Sequence, residues 1–175
     1  AEYGRIEAMV KLGKVLTADL TSPYADEILG FKYLMKAYDK GNVEAAIELA
    51  RLSARGVGTF KDREKAKEYL QFAIDKEESL EALCEMGKLF CQAEGWYGSV
   101  SYNDASVPEA QKNAEWVIGL EYLKKAAEKQ YAPAYLWLGT LLYDPEGYCT
   151  GHKSSEEEIN ESLKYLEEGA SLNHP

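Results

Sequence analysis

Four pairs of small residues stand five positions apart: Ala8 and Gly13, Ala45 and Ala50, Ala82 and Gly87, Ala134 and Gly139. Their first members are separated by 37, 37 and 52 residues. After each pair comes a second signature: Tyr33-Leu34-x-x-Ala37, Tyr69-Leu70-x-x-Ala73, Tyr122-Leu123-x-x-Ala126 and Tyr165-Leu166-x-x-Gly169. A recurring period of about 20–50 residues is the mark of a solenoid, in which each supersecondary unit buries its apolar face against its neighbour. No other feature of the chain narrows its fold as much.

Both signatures have helical spacing. Ala46, Leu49, Ala50 and Ser53 fall at i, i+3, i+4 and i+7, and so do Ala66, Tyr69, Leu70 and Ala73. Start and stop residues agree with this. Ser22-Pro23 supplies a cap before a proline at the first helical position, Asp62 and Ser155 are N-cap candidates, and Ser155-x-x-Glu158 has the form of a capping box. Gly41 and Gly56 suit C-terminal stops. The pattern predicts eight helices, at about 5–17, 23–40, 43–54, 63–76, 80–92, 108–130, 132–143 and 156–171. They form four antiparallel pairs, with repeats at about 5–41, 42–78, 79–131 and 132–175.

Two readings are open for the small residues in the apolar run QYAPAYLWLGTLLY (130–143). Gly139 and Trp137 could line a ligand pocket, or Gly139 could let the first helix of the pair approach the second closely. Recurrence of small residues at this position in every repeat favours packing.

The residues of repeats two and four carry a family likeness. AAIELARLSARGVGTFKDREKAKEYLQFAIDKEE, with its G-x-G turn at Gly56 and Gly58, the following Asp62, and Lys65-Ala66 before Tyr69, resembles the Sel1-like repeat. That repeat is a relative of the tetratricopeptide repeat. AYLWLGTLLY followed by EEINESLKYLEEGA resembles it too, and the likeness covers nearly the whole chain. Ala50 departs from the Gly that the family prefers, and Gly169 from the preferred Ala. The resemblance implies an all-α, right-handed α–α superhelix serving as a scaffold or adaptor. Relatives of this kind include an adaptor in endoplasmic-reticulum protein degradation, chitin synthase activators, bacterial virulence proteins and part of elongation factor 2 kinase.

Charge limits the partners. The net charge is −10 and the pI about 4.8, so phosphate backbones and acidic membrane surfaces are repelled. No apolar run is long enough to span a bilayer. The protein lacks an initiating Met and a signal core, and both ends fall on repeat boundaries without polar caps. A segment of a longer array is therefore expected. The three cysteines, Cys84, Cys91 and Cys149, make an odd count. Cys84 and Cys91 share one predicted helix, roughly 10 Å apart along its axis, beyond the reach of a disulfide. A reducing, cytoplasmic setting is expected, the alternative being secretion or delivery by a pathogen.

Catalytic chemistry has little to stand on. His152 lies near Ser154 and Ser155 without a strained elbow or glycine cradle, and Cys149-x-x-His152 is a metal half-site with no second half. No catalytic residue, metal or cofactor is expected.

Two features point to partner binding. Lys14, Arg51 and Lys88 are spaced 37 and 37, and Arg55 follows Arg51 by one turn. By analogy with tetratricopeptide arrays, that phase faces a concave groove, where a basic row could hold an acidic peptide or the terminal carboxylate of another protein. The same analogy points Cys84 and Cys91 toward the groove as small apolar surface. The competing reading of the row is helix-dipole compensation, because Glu7, Glu44 and Glu81 stand seven residues before each basic residue. The second feature is the tract 94–108, EGWYGSVSYNDASVP, an insertion in repeat three that carries Trp96, Tyr97 and Tyr102. Loop aromatics are common interface anchors, though these could instead shield neighbouring helix ends. The expected function is a non-catalytic protein–protein interaction scaffold. The alternative is a regulatory or targeting domain of a larger enzyme, such as a kinase or synthase activator.

Overall fold

The structure, a computed structural model, describes residues 2–18, 21, 23, 25–91, 109–143 and 153–172. Among these residues it is all-helical, with eight α-helices and no strand. They are α1 (Glu2–Ala18), α2 (Glu27–Tyr38), α3 (Val43–Arg55), α4 (Arg63–Glu77), α5 (Leu80–Cys91), α6 (Glu109–Glu128), α7 (Ala132–Leu142) and α8 (Glu156–Leu172). The protein divides into two compact units, Ala1–Ala82 and Leu83–Pro175.

Local chemistry sets the ends of the helices. Asn42 Oδ1 accepts from Ala45 N at 2.7 Å and Asp62 Oδ1 from Lys65 N at 2.9 Å, so α3 and α4 each open on a capping side chain. Ser155 and Glu158 form a full capping box: Glu158 N donates to Ser155 Oγ at 3.2 Å, and Ser155 N donates to Glu158 Oε2 at 2.8 Å. Gly56 stops α3 in the left-handed region, its N–H bonded to Leu52 O at 2.8 Å. Gly58, at φ +68°, lies against the Glu27 carbonyl, and a side chain there would run into that oxygen. The start of α2 corrects the sequence reading. Asp26 is the cap, accepting from Leu29 N at 2.9 Å, and the helix begins four residues after the Ser22-Pro23 start. The aspartate side chain reaches the third N–H of the helix and satisfies one of its orphan donors.

Within each pair the helices run antiparallel. In the first compact unit, Leu16 O accepts from Asp26 N at 3.2 Å while Gly13 faces Leu34. In the second, Gly87 faces Leu123 while Cys91 faces Gly119, and Gly139 faces Leu166 while Tyr135 faces Gly169. The two signatures are therefore two halves of one joint. The small residue of the first helix admits the leucine of Tyr-Leu-x-x-Ala on the second. A Cβ placed on Gly13 or Gly87 would stand 2.6 Å from Cγ of Leu34 or Leu123, far inside van der Waals contact. The packing reading of Gly139 holds for the same reason. Ala50 and Leu70 are both fully buried, so repeat two tolerates the extra methyl.

Aromatic residues complete the cores. Tyr38 meets Tyr69 edge-on at 5.0 Å between ring centres, and Tyr69 Oη lies 3.3 Å from Met35 Sδ. In the second unit Phe90 stacks on Tyr122 at 5.8 Å and Tyr135 packs on Tyr165 at 6.2 Å. Between repeats, α3 packs on α2 and touches α1, and α7 packs on α6.

Candidate partner-binding face

In the first compact unit the basic residues of the predicted row stand in an alternating ladder of charge. Lys14 Nζ lies 2.8 Å from Glu44 Oε1 and 3.5 Å from Glu48 Oε1. Arg51 joins Glu48 through Nη1 at 2.7 Å and Glu81 through Nη2 at 2.8 Å. Arg55, exposed one turn further on, donates from Nε to the Arg51 carbonyl at 3.2 Å. The ladder follows from the repeat. A basic residue near the end of one first helix reaches the glutamate that opens the next, 30 residues later, and does so twice at the same distance. The hydrogen bond to Glu44 raises the Lys14 pKa, against the opposing pull of burial. Each pair is partly open to water, so both cations stay accessible to a competing carboxylate.

Helix-dipole compensation accounts for only part of this. Glu44 and Glu81 do sit in first turns, and Arg55 and Lys88 in last turns. α1, however, runs on to Ala18 and has no basic residue in its last turn, so Lys14 owes its place to Glu44 and Glu48.

Lys88, in the second unit, is placed differently. It is buried, as is its partner Glu85, with Nζ 2.7 Å from Glu85 Oε1 and 4.7 Å from the centre of the Trp137 ring. This is a desolvated ion pair with a cation–π contact. Sequence spacing could place Lys88 in phase with Arg51 but not reveal that an aromatic from α7 closes over it. The cysteines also depart from the surface reading. Cys84 and Cys91 are buried, the Cys91 thiol donates to the Trp116 carbonyl at 3.8 Å, and burial pushes that thiol up to about 12. Trp96, Tyr97, Tyr102 and the rest of 94–108 lie outside the described residues, as do Cys149, His152 and His174.

Among the described residues, no group of three or more His, Cys, Asp or Glu could hold a metal ion, and no helix is long and apolar enough to cross a membrane. On α8, Glu157, Asn160, Glu161, Lys164, Tyr165 and Glu168 line an open depression. The Tyr165 hydroxyl there donates to Glu161 at 3.1 Å, and burial, helped by that bond, holds its pKa up at about 12.

The sequence model of the Sel1 repeat matches residues 6–42, 43–77, 117–131 and 132–174. The protein belongs to the Sel1 repeat family. Sel1 repeats generally mediate protein–protein interaction, and their fold is typically a non-catalytic scaffold. A Sel1 repeat protein from Oxalobacter formigenes superposes with a TM-score of 0.61 at 21% identity, over 97% of this chain and 59% of that one. The present sequence thus spans about three fifths of that relative's length. A protective antigen of uropathogenic Escherichia coli strains, described as displaying an SLR fold, gives a TM-score of 0.44 at 15% identity, over 99% of this chain and 40% of that one. An immunity protein from Pseudomonas aeruginosa gives 0.41 at 18%, over 97% and 84%. A comparison with curated proteins finds no significant match.

Proposed function

We propose that this Sel1 repeat protein is a non-catalytic interaction module. It holds a protein or peptide partner on the face of α1 and α3 that carries Lys14, Arg51 and Arg55, with the 94–108 segment and its Trp96, Tyr97 and Tyr102 as a second contact. Lys88, in the same sequence phase, stiffens the second unit from within rather than meeting the partner directly.

The observation that carries this reading is the charge ladder. Glu44, Lys14, Glu48, Arg51 and Glu81 form a continuous row of alternating sign, partly open to water. A partner carboxylate that displaces Glu81 from Arg51 exchanges one ion pair for another of similar energy, so the exchange costs little. Acidic side chains or a terminal carboxylate are the complementary chemistry. Binding of this type is moderate in strength and weakens with salt.

The test compares the parent protein with Lys14→Glu/Arg55→Glu in pull-downs from the native extract. Loss of an acidic partner, with helix content unchanged by circular dichroism, is the expected result. The reading fails if that variant retains the same partners with the same salt dependence. A deletion of 94–108 reports separately on the loop.

A further inference from the structure

The turn that joins α3 to α4 presents a bare aromatic ring. Phe60 is 93% exposed, the most open large apolar side chain among the described residues. The turn itself is held firmly. Gly56 N and Val57 N donate to Leu52 O at 2.8 and 3.0 Å, and Asp62 N donates to Ser53 O at 2.9 Å. Gly58 N donates to Glu27 Oε2 at 3.3 Å, which ties the turn to the start of α2. There Ile28 is 60% exposed and Leu29 40%. Because the backbone is already ordered, covering Phe60 costs little further conformational entropy.

Charge around the turn runs against that of the whole protein. Residues 51–63 carry Arg51, Arg55, Lys61 and Arg63 against Asp62 alone, in a protein of net charge −10. Nearby carboxylates are engaged internally. Asp62 accepts from Lys65 N at 2.9 Å, Glu27 from Gly58 N, and Glu64 from Lys67 Nζ at 2.8 Å. A Cβ placed on Gly56 would stand 3.2 Å from Lys61 N, so Phe60 and Lys61 fold back beside the end of α3, where Arg55 stands. Arg55 and Lys61 are both exposed.

We propose that this turn anchors an acidic partner segment that carries a bulky apolar residue. The apolar side chain covers Phe60, and carboxylates beside it meet Arg55 and Lys61. The anchor rests on the reading of this protein as an interaction module for acidic partners, and Arg55 belongs to both sites. It adds what the charge ladder lacks. Carboxylates alone gain little from partly open cations and lose it in salt, whereas an apolar contact persists in salt and discriminates among acidic partners. An anionic bilayer would also meet basic and aromatic residues here, but the net charge of −10 repels it, which favours a peptide.

Fluorescence anisotropy with two labelled peptides tests this, one a run of glutamates interrupted by a leucine, the other with serine in place of that leucine. The parent protein should bind the leucine form about tenfold more tightly. Phe60→Ser should abolish that preference and leave binding of the serine form unchanged. The ring lies in solvent, so the fold should be undisturbed, and circular dichroism checks it. Lys61→Glu should weaken both forms and flatten their salt dependence. Lys14→Glu, on the ladder, should weaken both forms and keep the leucine preference. Equal affinity of the parent for the two peptides, or a preference that survives Phe60→Ser, overturns the anchor and leaves the ladder standing. Binding indifferent to Lys14→Glu overturns the ladder and leaves the anchor. Failure of the parent to bind either peptide overturns both. Phe60-dependent binding to phosphatidylserine vesicles in place of the leucine peptide overturns the assignment to an acidic segment.

Discussion

Leu123 of α6 closes over Gly87 of α5 so tightly that a methyl group on the glycine would stand 2.6 Å from the leucine Cγ. The carbonyl of Gly119 lies 2.8 Å from the same point, so leucine movement alone cannot make room. Gly87→Ala should destabilise the fold by about 1–3 kcal/mol through overpacking. Gly4, with nothing within 4 Å of its added Cβ, is the control. Gly4→Ala should be neutral or stabilise by up to about 1 kcal/mol, from helix propensity. Urea unfolding of both variants measures the contrast, and equal effects would refute the close-approach account.

The buried pair of Lys88 and Glu85 makes a sharper demand. Removing one partner leaves a desolvated charge, so Lys88→Met should cost about 3–5 kcal/mol. Replacing both, as Glu85→Leu/Lys88→Met, should cost less than either single change, because no charge is then left buried. Chemical denaturation of the three variants closes this double-mutant cycle.

At the ladder the effect should be small. Arg51 and Glu81 are partly exposed, so their coupling energy in a double-mutant cycle should be about 0.2–1 kcal/mol and fall with added salt. A coupling of several kcal/mol would show that the pair is structural and unsuited to exchange with a partner.

Cys91 predicts an alkaline limb in the stability profile. Its thiol titrates at about 12 when folded, against an ordinary value of 9.0. Between those values the unfolded state loses the proton and the folded state keeps it. The contribution is therefore fully present below pH 9.0 and falls as pH rises toward about 12. The ceiling is about 4 kcal/mol, at about 1.4 kcal/mol per unit. Cys91→Ala should flatten this limb, and the Cys91 thiol should resist alkylation near neutral pH until the protein unfolds.

Much of the fold was legible because its signals are local and repeated. Helix caps such as Asp62 and the Ser155–Glu158 box act over three residues, and a C-terminal stop such as Gly56 over four. The pairing of Gly87 with Leu123 was foreshadowed by the same two residue types in the same order elsewhere in the sequence. The α2 start was not, because two plausible starts, Ser22-Pro23 and Asp26, lie four residues apart, and only the formed helix shows which side chain reaches its N–H groups.

Residue order alone was enough to specify the paired-helix repeat, its phase and the identity of the residues in each joint, since periodicity translates directly into helix faces. How deep each of those residues lies was settled only by packing. Lys14, Arg51 and Lys88 share one phase, yet two stand partly open in a ladder while the third is buried beneath Trp137. Leu12 and Leu49 share another, yet one is bare and one sealed. Phase is a property of one helix. Burial depends on which other helix comes to rest on it, and that is fixed only when the elements come together.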